Sequence, residues 1–119
     1  MKNVMILIAI LLSQPSFASD AQDNLSAVYK TLEVVNQMDL SCNTTSDCDL
    51  LAVGARACGG PGGFMVVTKN NADLNVLERL AHLTTSMQNE INEKEQIVSI
   101  CSLAPRPAYS CVVNTCIRD

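Results

Sequence analysis

Leu50-Leu51-Ala52-Val53, followed across Cys58-Gly59-Gly60-Pro61-Gly62-Gly63 by Phe64-Met65-Val66-Val67-Thr68, is the stretch whose reading decides the fold. The first run is short and apolar, the second is rich in β-branched side chains, and the segment between them is made of turn formers. The pair therefore reads as two strands around a glycine loop. Four glycines about one proline leave that loop with accessible backbone and little side-chain cover.

On the C-terminal side of this hairpin, no Gly or Pro occurs from Phe64 to Ala104. Leu74, Leu77, Leu80, Ala81, Thr84, Met87 and Ile91 recur at steps that place them on one side of a helix. Asn71 is placed to cap its start, Asp73 suits its first turn, and Glu90 and Lys94 form an i,i+4 pair near its end. On the N-terminal side, Leu25, Val28, Tyr29, Leu32, Val35 and Met38 predict another helix over Asp20 to Met38. Ser41 to Asp47 is a polar turn that stops it. Beyond the long helix, Ile97 to Ser102 and Tyr109 to Ile117 read as strands, separated by Leu103-Ala104-Pro105-Arg106-Pro107, with a tighter turn at Asn114-Thr115. The order helix, strands, helix, strands predicts an α+β fold, a small antiparallel sheet of about four strands covered by two helices.

Six cysteines, Cys42, Cys48, Cys58, Cys101, Cys111 and Cys116, punctuate this pattern. Successive pairs are separated by 5, 9, 42, 9 and 4 residues, which supplies no C-x-x-C for a metal or a redox dithiol. Three structural disulfides are expected and no metal or other cofactor. Cys58 and Cys101 flank the long cysteine-free middle, so a bridge between them would clamp it. Cys42 and Cys48 would then pair with Cys111 and Cys116, either across the two clusters or locally within each.

The compartment follows from the N-terminus. Lys2, the apolar run Val4 to Leu12, and the small residues Ser16 and Ala18 have the layout of a secretory signal peptide, cleaved after Ala18. The run is far short of the roughly 20 residues that span a bilayer. Residues 1–18 are therefore expected to be removed, leaving 19–119 as a single disulfide-stabilised domain, periplasmic or secreted, with no membrane anchor and monomeric. Eight Lys and Arg against twelve Asp and Glu give a net charge of −4. Loss of Lys2 with the leader makes the remainder −5, which excludes a nucleic-acid backbone as partner.

Candidate chemistry is sparse. His82 is the only histidine, and on the helical wheel it shares a face with Asn75, Glu78 and Asn89, opposite the leucine stripe. No G-x-S-x-G or H-E-x-x-H accompanies it. Asp47 and Asp49 flank Cys48, but alternate residues of a strand point to opposite faces, and the further oxygens of a calcium loop are missing. The loop is the better candidate. Arg56, Gly59, Gly60, Pro61, Gly62, Gly63 and Phe64 form a segment suited to entering a partner's cleft.

Asp47-Cys48, Cys58-Gly59-Gly60-Pro61, Ser99-Ile100-Cys101, either Pro105 or Pro107, and Cys111 with Cys116 together resemble a group of small exported cysteine-rich proteins of Gram-negative bacteria. The resemblance runs from Cys42 to the end of the chain. It implies an exported, disulfide-bonded scaffold and assigns no catalytic residue. The expected function is a binding or inhibitory protein that contacts another envelope protein through the glycine loop, rather than an enzyme. The alternative is a small hydrolase acting on an envelope carbohydrate or peptide through Asp47, Asp49 or His82.

Overall fold

The computed structural model describes residues 17–96 and 104–119. The apolar run Val4 to Leu12, the expected strand Ile97 to Ser102, and Cys101 lie outside the described residues. The elements are α1 (Phe17–Gln37), a 3-10 turn (Thr45–Asp47), β1 (Cys48–Val53), β2 (Gly63–Thr68), α2 (Leu74–Lys94), β3 (Tyr109–Val112) and β4 (Thr115–Arg118).

The α+β composition stands, but the described strands form two separate two-stranded antiparallel sheets, β1–β2 and β3–β4, instead of one sheet of four. The β1–β2 sheet lies between the other layers, and its alternation shows why. Leu51, Val53, Met65 and Val67 pack with Leu32, Leu77 and Ala81 of the helices. Cys48 and Val66 pack instead with Cys42, Cys116, Leu40 and Tyr109. Cys48↔Thr68 and Val53↔Gly63 end the β1–β2 register. Because side chains alternate along a strand, one hairpin serves two layers.

The buried residues of α2 are Leu77, Ala81, Thr84 and Ile91, as its spacing requires, with Leu74, Leu80 and Met87 half-buried. In α1, Leu25 and Leu32 are buried. The expected stripe extends one residue too far there, since the helix ends at Gln37 and Met38 is 70% exposed. The capping also shifts. Asp73 is the residue at the N-cap of α2, and Asn71 acts two residues earlier, its Oδ1 accepting from the Asp73 backbone N–H at 2.8 Å. The buried Asn71 amide donates in the other direction to the carbonyls of Val35 (3.3 Å) and Asp39 (3.2 Å). One side chain thus joins the start of α2 to the end of α1, satisfying groups that helix ends leave over. Glu90 and Lys94 make the expected i,i+4 ion pair at 2.9 Å, exposed to solvent.

Among the described residues two disulfides are formed, Cys42–Cys111 and Cys48–Cys116, so the pairing runs across the clusters and not within them. Cys111 and Cys116 are register partners on β3 and β4. With those two residues opposite each other and Val112 opposite Thr115, only Val113 and Asn114 remain to turn the chain. A two-residue hairpin of this kind needs positive φ at both positions, and they adopt +50° and +58°. The turn therefore falls one residue before the expected Asn114-Thr115. It places a β-branched side chain in a conformation that such residues rarely take, and Val113 is 89% exposed. The segment after α1 completes this layer: the Cys116 N–H donates to the Leu40 carbonyl at 2.8 Å and the Cys42 N–H to the Asn114 carbonyl at 3.1 Å. Cys58 is exposed in the glycine loop.

Candidate functional site

The glycine loop is fastened to α2 before it reaches its tip. Gly54, buried at the end of β1, has φ +70°, and a Cβ there would lie 2.5 Å from the Tyr29 hydroxyl oxygen. Its N–H donates to Thr84 Oγ1 at 3.0 Å, and Thr84 in turn donates to the Ala81 carbonyl at 2.6 Å. Thr85 Oγ1 donates to the Gly54 carbonyl at 2.9 Å, and Asn92 Nδ2 to the Ala55 carbonyl at 3.3 Å. Thr84 therefore sits on the apolar stripe of α2 for a reason: its hydroxyl satisfies a buried backbone donor that no strand partner reaches.

Past this anchor the loop closes on itself. The Gly59 N–H donates to the Arg56 carbonyl and the Arg56 N–H to the Gly60 carbonyl, both at 3.0 Å, while the Gly62 N–H returns to the Val53 carbonyl at 3.0 Å. Gly59 and Gly60 take φ +105° and +82°, which a side-chain-bearing residue adopts only with strain. Both are exposed.

Between this loop and α2 lies a groove of about 440 Å³. Gly59, Gly60 and Pro61 line it from the loop and Glu78, His82, Thr85 and Asn89 from the helix, with apolar lining from Leu51, Ala52, Ala55 and Ala81. His82, Glu78 and Asn89 are exposed, as their wheel position requires. Asn75, expected on the same face, does not line the groove. The loop and the histidine face were two separate readings of the sequence, and the fold makes them opposite walls of one concavity. The signal that connects them is the polar set Thr84, Thr85 and Asn92 beside an otherwise apolar stripe, which marks where another segment's backbone lands.

The remaining loop residues divide. Arg56 is half-buried at the base of the loop, and Gly62 is exposed at its return, whereas Gly63 and Phe64 already belong to β2. Phe64 is opposite Ala52 in the register, and the Arg106 guanidinium lies 5.2 Å from its ring centroid. This arrangement is that of a cation–π contact, and it joins the proline-bearing segment to the sheet.

Asp47 and Asp49 stand at the start of β1 and do not line the groove. Asp47 Oδ2 accepts from the backbone N–H groups of Asn43 (2.7 Å) and Thr44 (3.2 Å). Those two donors, with a smaller contribution from the Lys69 charge, hold its carboxyl below the ordinary range. Asp49 is exposed, and its Oδ1 accepts from the Leu50 N–H at 2.8 Å. The three residues of the hydrolase alternative are thus not assembled around one cavity.

Among the described residues, the one set of three metal-type ligand atoms within 4.8 Å is Sγ of Cys42, Cys48 and Cys116, and all three sulfurs are engaged in disulfides. Among the same residues no helix is long and apolar enough to cross a membrane. No protein-family profile, curated protein or solved structure matches the chain.

Proposed function

We propose that this is an exported binding or inhibitory protein of the cell envelope, periplasmic or secreted, which engages another envelope protein through the loop Arg56 to Phe64. The observation that carries the reading is the contrast within that loop. Its base is fixed to α2 through Thr84, Thr85 and Asn92, while Gly59 and Gly60 at its tip are exposed. A loop ordered before binding loses less entropy on association, and this raises affinity. The two disulfides support an oxidising compartment, and with it the export that the N-terminal pattern suggests. They also support a third bridge, Cys58–Cys101, since the other four cysteines are already paired. Such a bridge would tie the loop to the segment that follows α2. The likeness to small exported cysteine-rich proteins belongs to the same proposal.

The test is affinity capture from envelope extract under non-reducing conditions, with the wild-type protein beside Pro61→Glu in the loop and Val113→Asn in the other hairpin. The expected outcome is one partner retained by wild type and V113N and lost by P61E. Equal retention by P61E, or no partner at all, overturns the reading. Mass spectrometry before and after reduction should show a gain of six hydrogens, on the order of three bridges.

A further inference from the structure

The groove beside the glycine loop has a chemistry that narrows what can enter it. We infer that it receives a lysine or arginine side chain from an extended segment of the partner protein, with Glu78 as the counter-ion. This inference rests on the binding reading above.

Three features of the groove lead there. Among the described residues Glu78 is the only acidic one that lines it, and no Lys or Arg does. The protein as a whole is acidic, at −4, so an anionic partner group would meet both a local and a global repulsion. Beside the helix wall of Glu78, His82, Thr85 and Asn89, the rest of the lining is apolar and small, with Ala52, Ala55, Ala81 and Pro61. Long cationic side chains suit such a place, because their methylene stems cover apolar surface while the charged head stays at the rim. An uncharged apolar plug would fit the walls equally well but would cover the Glu78 carboxylate without a partner, which is costly. A cation satisfies both requirements, and at about 440 Å³ the groove has room for one such side chain together with the backbone that carries it. The glycines of the loop contribute by what they lack: with no side chain at Gly59 or Gly60, a partner backbone can approach the rim closely.

The probe is acetyl-Gly-Arg-Gly-amide, with acetyl-Gly-Lys-Gly-amide as the second cation and acetyl-Gly-Gln-Gly-amide as the uncharged control, titrated into the isotope-labelled protein and followed by amide shifts in NMR spectra at pH 7.5. Both cationic peptides should produce saturable shifts at Gly59, Gly60 and Glu78, and the glutamine peptide none. Glu78→Gln, an exposed change whose fold is checked by circular dichroism, should weaken the arginine peptide about fivefold, with Glu78→Asp recovering part of the loss. Equal shifts from the glutamine peptide overturn the inference. So do unchanged affinity in E78Q, or shifts centred on the Glu90 to Glu95 end of α2. Capture of the natural partner separates the two levels. If P61E loses the partner and E78Q keeps it, the loop is the interface and the cation site is wrong. If both variants keep it, the binding reading itself has failed.

Discussion

The two faces of the β1–β2 sheet are held by different physics. Toward the helices, Val53 and Val67 pack with Leu32, Leu77 and Ala81, a core built from side chains of two helices of 21 residues each. Toward the second hairpin, the buried residues are Cys42, Cys48 and Cys116. β3 and β4 have four residues apiece, and Val112 and Ile117 remain 44% and 40% exposed. A two-stranded hairpin of that size is marginal by itself. Long elements can supply an apolar stripe wide enough to hold a layer, while a short one needs covalent closure. The glycine loop lies on the packed side of this division, which is why hydroxyl and amide groups of α2, and not the two formed disulfides, position it.

The comparison can be broken most directly by removing its covalent half. Replacing Cys42, Cys48, Cys111 and Cys116 together by alanine should cost roughly 5 to 8 kcal/mol. The first bridge closes a separation of 69 residues, and the second adds less because the chain is already closed. Denaturant titration measures the loss, and amide exchange should show β3–β4 opening before α1 and α2. A loss spread evenly over both layers would remove the distinction. On the packed side, Leu77→Ala truncates a fully buried side chain. It should cost about 3 kcal/mol and speed exchange in the helices more than in the hairpin.

Smaller changes sharpen the picture at the site. Thr84→Val keeps the shape but removes the acceptor of the Gly54 N–H, and an unmade buried hydrogen bond costs roughly 1 to 3 kcal/mol. Its signature is faster exchange at Gly54 and broadened loop resonances, with the disulfide layer unchanged. The smallest expected effect is on acid stability. Asp47 is held below its ordinary range first by the Asn43 and then by the Thr44 backbone N–H. A depressed folded value means that its contribution is present above the unfolded carboxylate pKa, about 4, and is lost as pH falls through the lower folded value. Asp47→Asn should lower stability slightly at neutral pH, where the wild-type carboxylate is charged, and converge with the wild type as pH falls through that window, which flattens the acid limb of the stability curve. Because the carboxylate is solvent-screened, a large neutral-pH loss would show that the turn depends on it in some other way.

The parts of the molecule that could be read directly are those whose signal is local. α2 announces itself through an unbroken period with no Gly or Pro, and β1–β2 through two apolar runs about a glycine cluster. Errors gather where a local rule competes with a distant one. Met38 continues the period of α1, yet the helix has already ended. Asn114-Thr115 is a reasonable turn in isolation, but the pairing of Cys111 with Cys116 moves the turn to Val113 and Asn114. The site was half legible. Gly59 to Gly63 mark a loop by composition, and the wheel puts His82 and Glu78 outside the core. A wheel says what a helix turns away from, not what lies beside it, so the groove could not be drawn from either signal.

Composition and periodicity by themselves determined the α+β class, the two helices, the first hairpin and the sulfur-rich character of the chain, because each depends on neighbours within a few turns or a few strand residues. The division into two sheets, the pairing of Cys42 with Cys111 and Cys48 with Cys116, and the meeting of the glycine loop with the Glu78–His82 face were decided only in three dimensions. Alternative strand and cysteine pairings differ little in local energy. What separates them is which arrangement lets β1 and β2 bury both faces at once, and that is a property of the assembled layers.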